Sequence, residues 1–197
     1  MYNARVENLL LAGNKIRGVT YRNKKGFVRR VEAPAVIIAT GGASYPATGS
    51  TGDGYQFAHS AGHTIEAIRP SLVPLETSMK DLPDLQGLRM RNIRTYLYID
   101  GQQVAEEFGE IAFTSRGVEG AVVLRMSRMA VDALIDGHQV ELSLDMKPPL
   151  DTDTIRARID REAAELTPEN RMSDLLRKLM PREMLRPVAS RAAIDLK

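Results

Sequence analysis

Neither cysteine nor tryptophan occurs in this 197-residue sequence. Without a thiol there is no disulfide, no thiolate metal site and no cysteine nucleophile. Aromatic residues reach only 5%, a thin supply for a base-stacking platform. No apolar run approaches the roughly 18 residues that a membrane-spanning helix requires. The opening residues Met1-Tyr2-Asn3-Ala4-Arg5 show neither a charged segment nor an apolar core, so no signal peptide is expected and a cytoplasmic location is. Lys and Arg number 27 against 25 Asp and Glu. A balance so near neutrality offers no warrant for a nucleic-acid or membrane-surface partner. The three histidines have no carboxylates at metal-ligand spacing, so no metal site is expected.

What is present describes an ordinary folded chain. Apolar residues make up 43% and charged residues 26%, which is enough for one domain or two small ones and argues against disorder. Residues 6–11, 16–21 and 27–31 read as three strands, separated by turns at Gly13-Asn14 and Asn23-Lys24-Lys25-Gly26. The continuous apolar run 35–39 reads as a buried parallel strand. A Gly, Ser and Thr-rich loop follows over residues 40–54. A short helix is expected from Asp53, as N-cap, to Ala61, with Gly62 at C′. Pro70 and Pro74 punctuate the next stretch, which places a domain boundary near residue 75.

Beyond that boundary, Asp100-Gly101 should turn a hairpin between 95–99 and a run from Gln103. Residues 110–114 suggest another strand. Over 121–134, Val122, Met126, Met129, Ala130 and Ala133 share one helical face. Residues 140–144 alternate as a half-buried strand should. A helical tail follows: one helix capped by Asp151 or Thr152 and carrying Ile155, Ile159 and Leu166, a second capped by Ser173, and a third opened by Pro181. The fold class is therefore mixed: a meander, parallel strand, loop and helix over residues 1–75, then an α+β domain of barrel-like strands and helices over 76–197.

The chemistry concentrates in residues 37–54. A strand ending in Thr40-Gly41-Gly42 leaves backbone amides uncovered and lets a ligand approach without interference from a Cβ. In open α/β sheets, ligands sit beyond the carboxyl ends of strands. Gly52-Asp53-Gly54 opens a helix whose amino end favours anions. Two phosphate motifs are excluded: no Lys occurs in the loop, as a Walker pattern requires, and Gly52 and Gly54 lack the third glycine of G-x-G-x-x-G.

The ordered string Ala39-Thr40-Gly41-Gly42, then Ser44-Tyr45-Pro46-Ala47-Thr48-Gly49-Ser50-Thr51-Gly52-Asp53-Gly54, then Ala61-Gly62-His63 and residues 70–75, resembles the BaiN/RdsA-type NAD(P)/FAD-dependent oxidoreductases. These aminoacetone oxidase-like flavoproteins are distant relatives of the fumarate reductase flavoproteins. The resemblance implies that Ala39, Thr40, Gly41, Gly42, Ser44, Tyr45, Thr48, Gly49, Thr51, Gly52, Asp53 and Gly54 bind FAD, and that NAD(P)H donates electrons for a small organic substrate. Residues 109–120 are similar to the family's Gly-Glu-x-x-Phe-Thr-His-x-Gly-x-Ser-Gly-Pro, with Ser115 in place of His, Glu119 in place of Ser and Ala121 in place of Pro. There the resemblance implies a domain inserted into the FAD domain. Ser115, Arg116 and Glu119 are polar residues in a glycine-rich link between strand and helix, which reads either as a substrate-facing segment of the intact protein or as ordinary loop polarity. The family's G-x-G-x-x-G unit and its glycine-rich final segment do not occur here. The chain is therefore expected to be an internal part of a larger flavoenzyme, inactive by itself, with the rest of the FAD domain as its partner.

The residues alone leave other readings open. The 40–54 loop could be a plain turn, with Asp53 only a cap. Residues 76–197 could form a non-enzymatic barrel that binds a protein or nucleic acid. His63 reads as a helix-end dipole partner or a buried hydrogen-bonding group, and His59 and His138 as surface residues. Arg22, Lys24, Lys25, Arg29 and Arg30 surround a solvated hairpin tip. No residue presents itself as a catalytic acid or base, and oligomeric state is not legible.

Overall fold

A computed structural model describes residues 1–167 and 169–196. The chain separates into two compact units, Met1–Ile68 and Arg69–Lys197.

In the first unit β1 (Ala4–Ala12), β2 (Lys15–Asn23) and β3 (Val28–Glu32) form an antiparallel meander in that order. The second turn is built by Asn23, whose Oδ1 accepts from the amides of Lys25 and Phe27 at 3.0 Å each. This is the side-chain-to-backbone mimicry that makes Asn a turn residue. Arg22, Lys24, Lys25, Arg29 and Arg30 are exposed around it. Helix α1 (Asp53–Ser60) follows the loop, and Gly62, at φ +89°, sits just past its end.

Residues 35–39 have no regular secondary structure and join no ladder. The parallel strand expected there does not form, and Ile37 is 90% exposed. A parallel strand exists only through its neighbours, and the meander supplies none.

The second unit is a five-stranded antiparallel sheet, curled into a half-barrel, with helices on its inner side. Its strands are β4 (Leu75–Glu76), β5 (Arg89–Ile99), β6 (Gln102–Phe113), β7 (Gly117–Glu119) and β8 (Val140–Asp145), ordered β4-β7-β6-β5-β8. The β5–β6 hairpin turns at Asp100 and Gly101, both with positive φ (50° and 79°). That geometry matches the right-handed twist of the flanking strands, as a primed turn must. Residues 110–113 continue β6 rather than forming a strand of their own. Val140, Leu142 and Leu144 lie inward on β8, packed against the core, with Glu141 and Ser143 exposed.

Helix α2 (Leu82–Leu85) contributes Leu82 and Leu85 to the core, and α3 (Ala121–Ile135) contributes Val122, Val123, Met126 and Ala130. Burying each large apolar side chain contributes about 1.5–3 kcal/mol. Met129, expected on the core face, is 41% exposed. Because Val123 is also buried, the buried arc of α3 centres on Met126 and leaves Met129 at its edge.

Three helices complete the unit: α4 (Thr152–Ala164), α5 (Met172–Leu179) and α6 (Leu185–Ala192). Asp151 caps α4, its carboxylate accepting from the Thr154 amide at 2.7 Å. On α4 Ile155 is half-buried and Ile159 is exposed, so the helix has no fully buried side chain. Ser173 does not cap α5. Arg171 occupies the N-cap position, and the Asp174 carboxylate reaches back to the Arg171 amide at 2.9 Å. Pro181 precedes a 3-10 turn, Arg182–Met184, that leads into α6.

The start of this unit is held to α3. Arg69 donates to Asp132 (3.2 Å) and Asp136 (3.0 Å), and the Val73 amide donates to the buried Ser127 hydroxyl (3.2 Å).

Candidate cofactor-facing loop

Residues 38–40 lie along the first turn of α1. Gly54 is buried there, and a Cβ on it would stand 2.4 Å from Thr40 Oγ1 and 3.0 Å from Ile38 Cγ2. A glycine at 54 lets this segment and the helix meet closely. Gly41 turns the chain away at φ +75°, where L-residues are strained, and a Cβ on it would meet Ser50 Oγ at 2.8 Å. Gly42 is not in that region, and a Cβ on it would make only an ordinary contact with the Tyr55 hydroxyl. The conformational constraint of the Thr-Gly-Gly sequence therefore rests on Gly41.

The loop closes on itself. Pro46–Thr48 form a 3-10 turn, with the Thr48 amide and hydroxyl both donating to the Tyr45 carbonyl. The Gly52 amide donates to the Gly42 carbonyl at 3.1 Å, bringing the two glycine clusters together. Gly52, at φ +85°, is the N-cap of α1, so Asp53 is its first helical residue rather than its cap. Asp53 still serves the helix entrance: its carboxylate accepts from Thr51 Oγ1 at 2.9 Å and lies 3.6 Å from Arg5. An acid at that end also suits the helix dipole.

The structure thus gathers Thr40, Gly41, Gly42, Thr51, Gly52, Asp53 and Gly54 around one helix end. Ala39, Ser44, Tyr45, Thr48 and Gly49 form its exposed rim, Tyr45 at 72% exposure. The amides of residues 40–44 take no part in the loop's backbone hydrogen bonds. Sequence reading missed Ser50, Tyr55 and Arg5, which support the loop from its sides; Tyr55 one residue after the glycine cluster was the available signal.

Beside the loop, Leu9, Leu11, Ile16, Val36, Ile38 and His63 line an open hollow of about 500 Å³. His63 is exposed there and not buried, its amide donating to the Ala58 carbonyl. His59 and His138 are exposed as expected. His138 Nδ1 lies 2.7 Å from Asp100 Oδ2 at the hairpin turn. Among the described residues no cluster of His, Asp and Glu could hold a metal ion, and no helix is long and apolar enough to cross a membrane.

In the second unit, Ser115 and Arg116 occupy the exposed tip between β6 and β7. Thr114 Oγ1 accepts from the amides of Arg116 (3.3 Å) and Gly117 (3.1 Å) and organises that tip. Arg116 pairs with Glu76. Glu119 is half-buried on β7, opposite Ala112. Ser115 and Arg116 are neighbours, while Glu119 belongs to the ladder.

Residues 69–197 match the family described as "HI0933-like protein barrel and H2TH domain". The chain belongs to the HI0933-like family. Its half-barrel and following helices are the parts that description names. The sequence is 31% identical over 137 residues to a 3-dehydro-bile acid delta(4,6)-reductase from Clostridium scindens, covering 67% of this chain and 33% of that protein. It is 29% identical over 159 residues to a ribosomal RNA dihydrouridine synthase from Haemophilus influenzae, covering 76% of this chain and 34% of the relative. The corresponding Escherichia coli protein is 33% identical over 92 residues, 47% of this chain and 22% of its own length. This HI0933-like chain spans about a third of the first two relatives.

Proposed function

We propose that the chain is the central part of a FAD-dependent oxidoreductase that takes electrons from NAD(P)H and saturates a ring double bond in an organic substrate. The observation that carries this reading is the Thr40–Gly54 loop, where two glycine clusters, a helix amino end and uncommitted amides converge on an exposed rim. The residues fit the cofactor. Gly41, at φ +75°, turns the chain at this point, the amides of residues 40–44 form no backbone hydrogen bond within the loop, and residues 43–45 are exposed, so donors stand free for a ligand. Flavin, when bound, supplies the two-electron chemistry. The chain's own part would be to hold and orient it, with amides 40–44 and the α1 amino end as the hydrogen-bond donors. Ser115 and Arg116 are the substrate-facing candidates in the second unit, the guanidinium suited to an anionic or carbonyl oxygen.

The names of the relatives support the reaction type, since a delta(4,6)-reductase and a dihydrouridine synthase both describe double bonds becoming saturated. No G-x-G-x-x-G occurs within the 197 residues, so the ADP half of FAD would be held by the rest of the FAD domain, and the chain alone is inactive. The protein works in the cytoplasm, where NAD(P)H is available.

The test is the ratio of flavin to protein absorbance in the whole protein, together with NAD(P)H-dependent flavin bleaching. Gly41→Val should lower flavin content severalfold and Lys24→Ala, at the solvated hairpin, should not. Equal flavin content in both variants and the parent would reduce the loop to a turn and remove the cofactor from this segment.

A further inference from the structure

The second unit contains four aromatic residues: Tyr96, Tyr98, Phe108 and Phe113. Phe113 is in the core. The other three lie together on the outward face of the β5–β6 hairpin. Ile93, Thr95 and Leu97 point into the core, so Arg94, Tyr96 and Tyr98 alternate outward. In the ladder Arg94 stands opposite Phe108, and Tyr96 opposite Glu106. Phe108 is 54% exposed and nearby Val104 45%. The solvent side of an antiparallel sheet is normally polar, so folding does not account for three rings placed there.

The same strand carries cations at its other end. Beyond the bulge at Asn92 (φ +55°) come Arg91 and Arg89, which with Lys147 rim a groove containing Met90, Ile93 and Met146. Glu110 accepts from both Arg89 (3.0 Å) and Arg91 (3.1 Å), and Glu106 lies 3.4 Å from Arg94. Ion pairs this exposed are worth roughly 0–1 kcal/mol, so a phosphate can take over the guanidinium groups. Asp145 and Glu141, opposite Arg94 and Tyr98 on β8, bound the surface on that side and keep a polyanion on β5–β6.

We infer that the outward face of β5–β6 binds a single strand of RNA, with bases stacked on Tyr98, Tyr96 and Phe108 and phosphates on Arg89, Arg91 and Lys147. Aromatic rings on a sheet stack bases with little regard to sequence, and neighbouring cations track the backbone. The choice of RNA over DNA rests on the proposed reductase reading, in which RNA is the class of molecule two relatives are named for. The platform itself does not depend on that reading. Averaging over 197 residues concealed it: the aromatic fraction and the net charge are both low, yet three rings and three arginines share one hairpin.

The experiment is fluorescence anisotropy of a labelled 12-nucleotide pyrimidine RNA against the full 197-residue chain at low salt, with circular dichroism confirming that each variant folds. Phe108→Ala should weaken binding by about 5- to 150-fold, from roughly 1–3 kcal/mol per stacked base. Arg89→Ala with Arg91→Ala should flatten the logarithmic salt dependence by about 1–2 units. Met129→Ala, exposed on α3, should change nothing. No saturable binding by the folded chain, or unchanged binding by Phe108→Ala, overturns the inference. So does self-association abolished by Phe108→Ala without RNA binding, which would assign the face to a second copy. Equal affinity for the deoxy 12-mer overturns the choice of RNA. RNA binding by a whole protein that takes up no flavin would leave this surface standing and remove the reductase instead.

Discussion

Gly54 packs on Thr40 so closely that a Cβ would come within 2.4 Å of the threonine Oγ1. The contact ties the end of the apolar segment to the start of α1. Gly54→Ala should cost about 1–3 kcal/mol of local stability, the usual penalty of overpacking. Hydrogen exchange at the α1 amides reads it. Adding Thr40→Ala should restore part of the loss, because residues in contact are not additive. Equal exchange in parent and Gly54→Ala would show that the two segments separate freely.

The 197-residue chain by itself should bind FAD weakly. A helix amino end and a run of amides can orient a flavin, but no second glycine motif is present to hold the pyrophosphate. Titration followed by flavin fluorescence should show no saturation at micromolar concentrations. A yellow protein with stoichiometric flavin would sink this prediction.

The two units should differ in autonomy. Residues 69–197 contain the buried cluster of Leu85, Ile93, Leu97, Ile111, Val122 and Met126, and should fold and melt cooperatively when expressed alone. Residues 1–68 leave Ile37 exposed on a segment without strand partners, a hazard for aggregation. Solubility and thermal melts of each unit decide it; a soluble, cooperative first unit beside an unfolded second would reverse the assignment.

Ser127 is fully buried on α3, accepts from the Val73 amide and donates to the Leu124 carbonyl at 2.8 Å. Ser127→Ala leaves the Val73 amide without its acceptor and should destabilise the second unit by about 1–3 kcal/mol, measured by urea unfolding. The higher helix propensity of Ala offsets only a few tenths of that. Unchanged stability would mean that water replaces the hydroxyl.

The hairpin turn should be sensitive to acid. Asp100 is held below the ordinary aspartate range, first by the Gln139 amide that donates to it at 2.9 Å and then by His138. A carboxylate with a depressed folded-state pKa contributes stability above its unfolded value, near 4. That contribution is lost as pH falls through the lower folded value. Below about pH 4 the melting temperature of the parent should therefore fall more steeply than that of Asp100→Asn. Parallel profiles would show that the turn is held by Gly101 alone.

Signals confined to a few neighbouring residues were legible without the fold. Asp100-Gly101 marked its turn, Asp151 its cap, and the alternation over 140–144 its strand, because each depends on atoms within a few positions. Features set by a partner were not. The run 35–39 looks like a strand, yet pairing needs a neighbour. Residues 110–113 look separate, yet β6 runs on through Gly109 and pairs with β5 on both sides of the register shift between Met90 and Ile93. Ser173 is a good cap by type, but Asp174 and Arg171 together satisfy the helix start two positions earlier.

The candidate site divides in the same way. The sequence by itself determined that glycine-rich backbone follows an apolar run and opens a helix, and the ordered motif brought the family with it. Only the tertiary structure decided that Gly41 bears the left-handed strain while Gly42 does not, and that Gly52 rather than Asp53 caps the helix. The tertiary structure also placed Tyr96, Tyr98 and Phe108 on one face. The φ at Gly41 and the cap at Gly52 are backbone geometry that residue type leaves open, and the shared face of Tyr96, Tyr98 and Phe108 depends on a strand register that exists only once the chain has closed on itself.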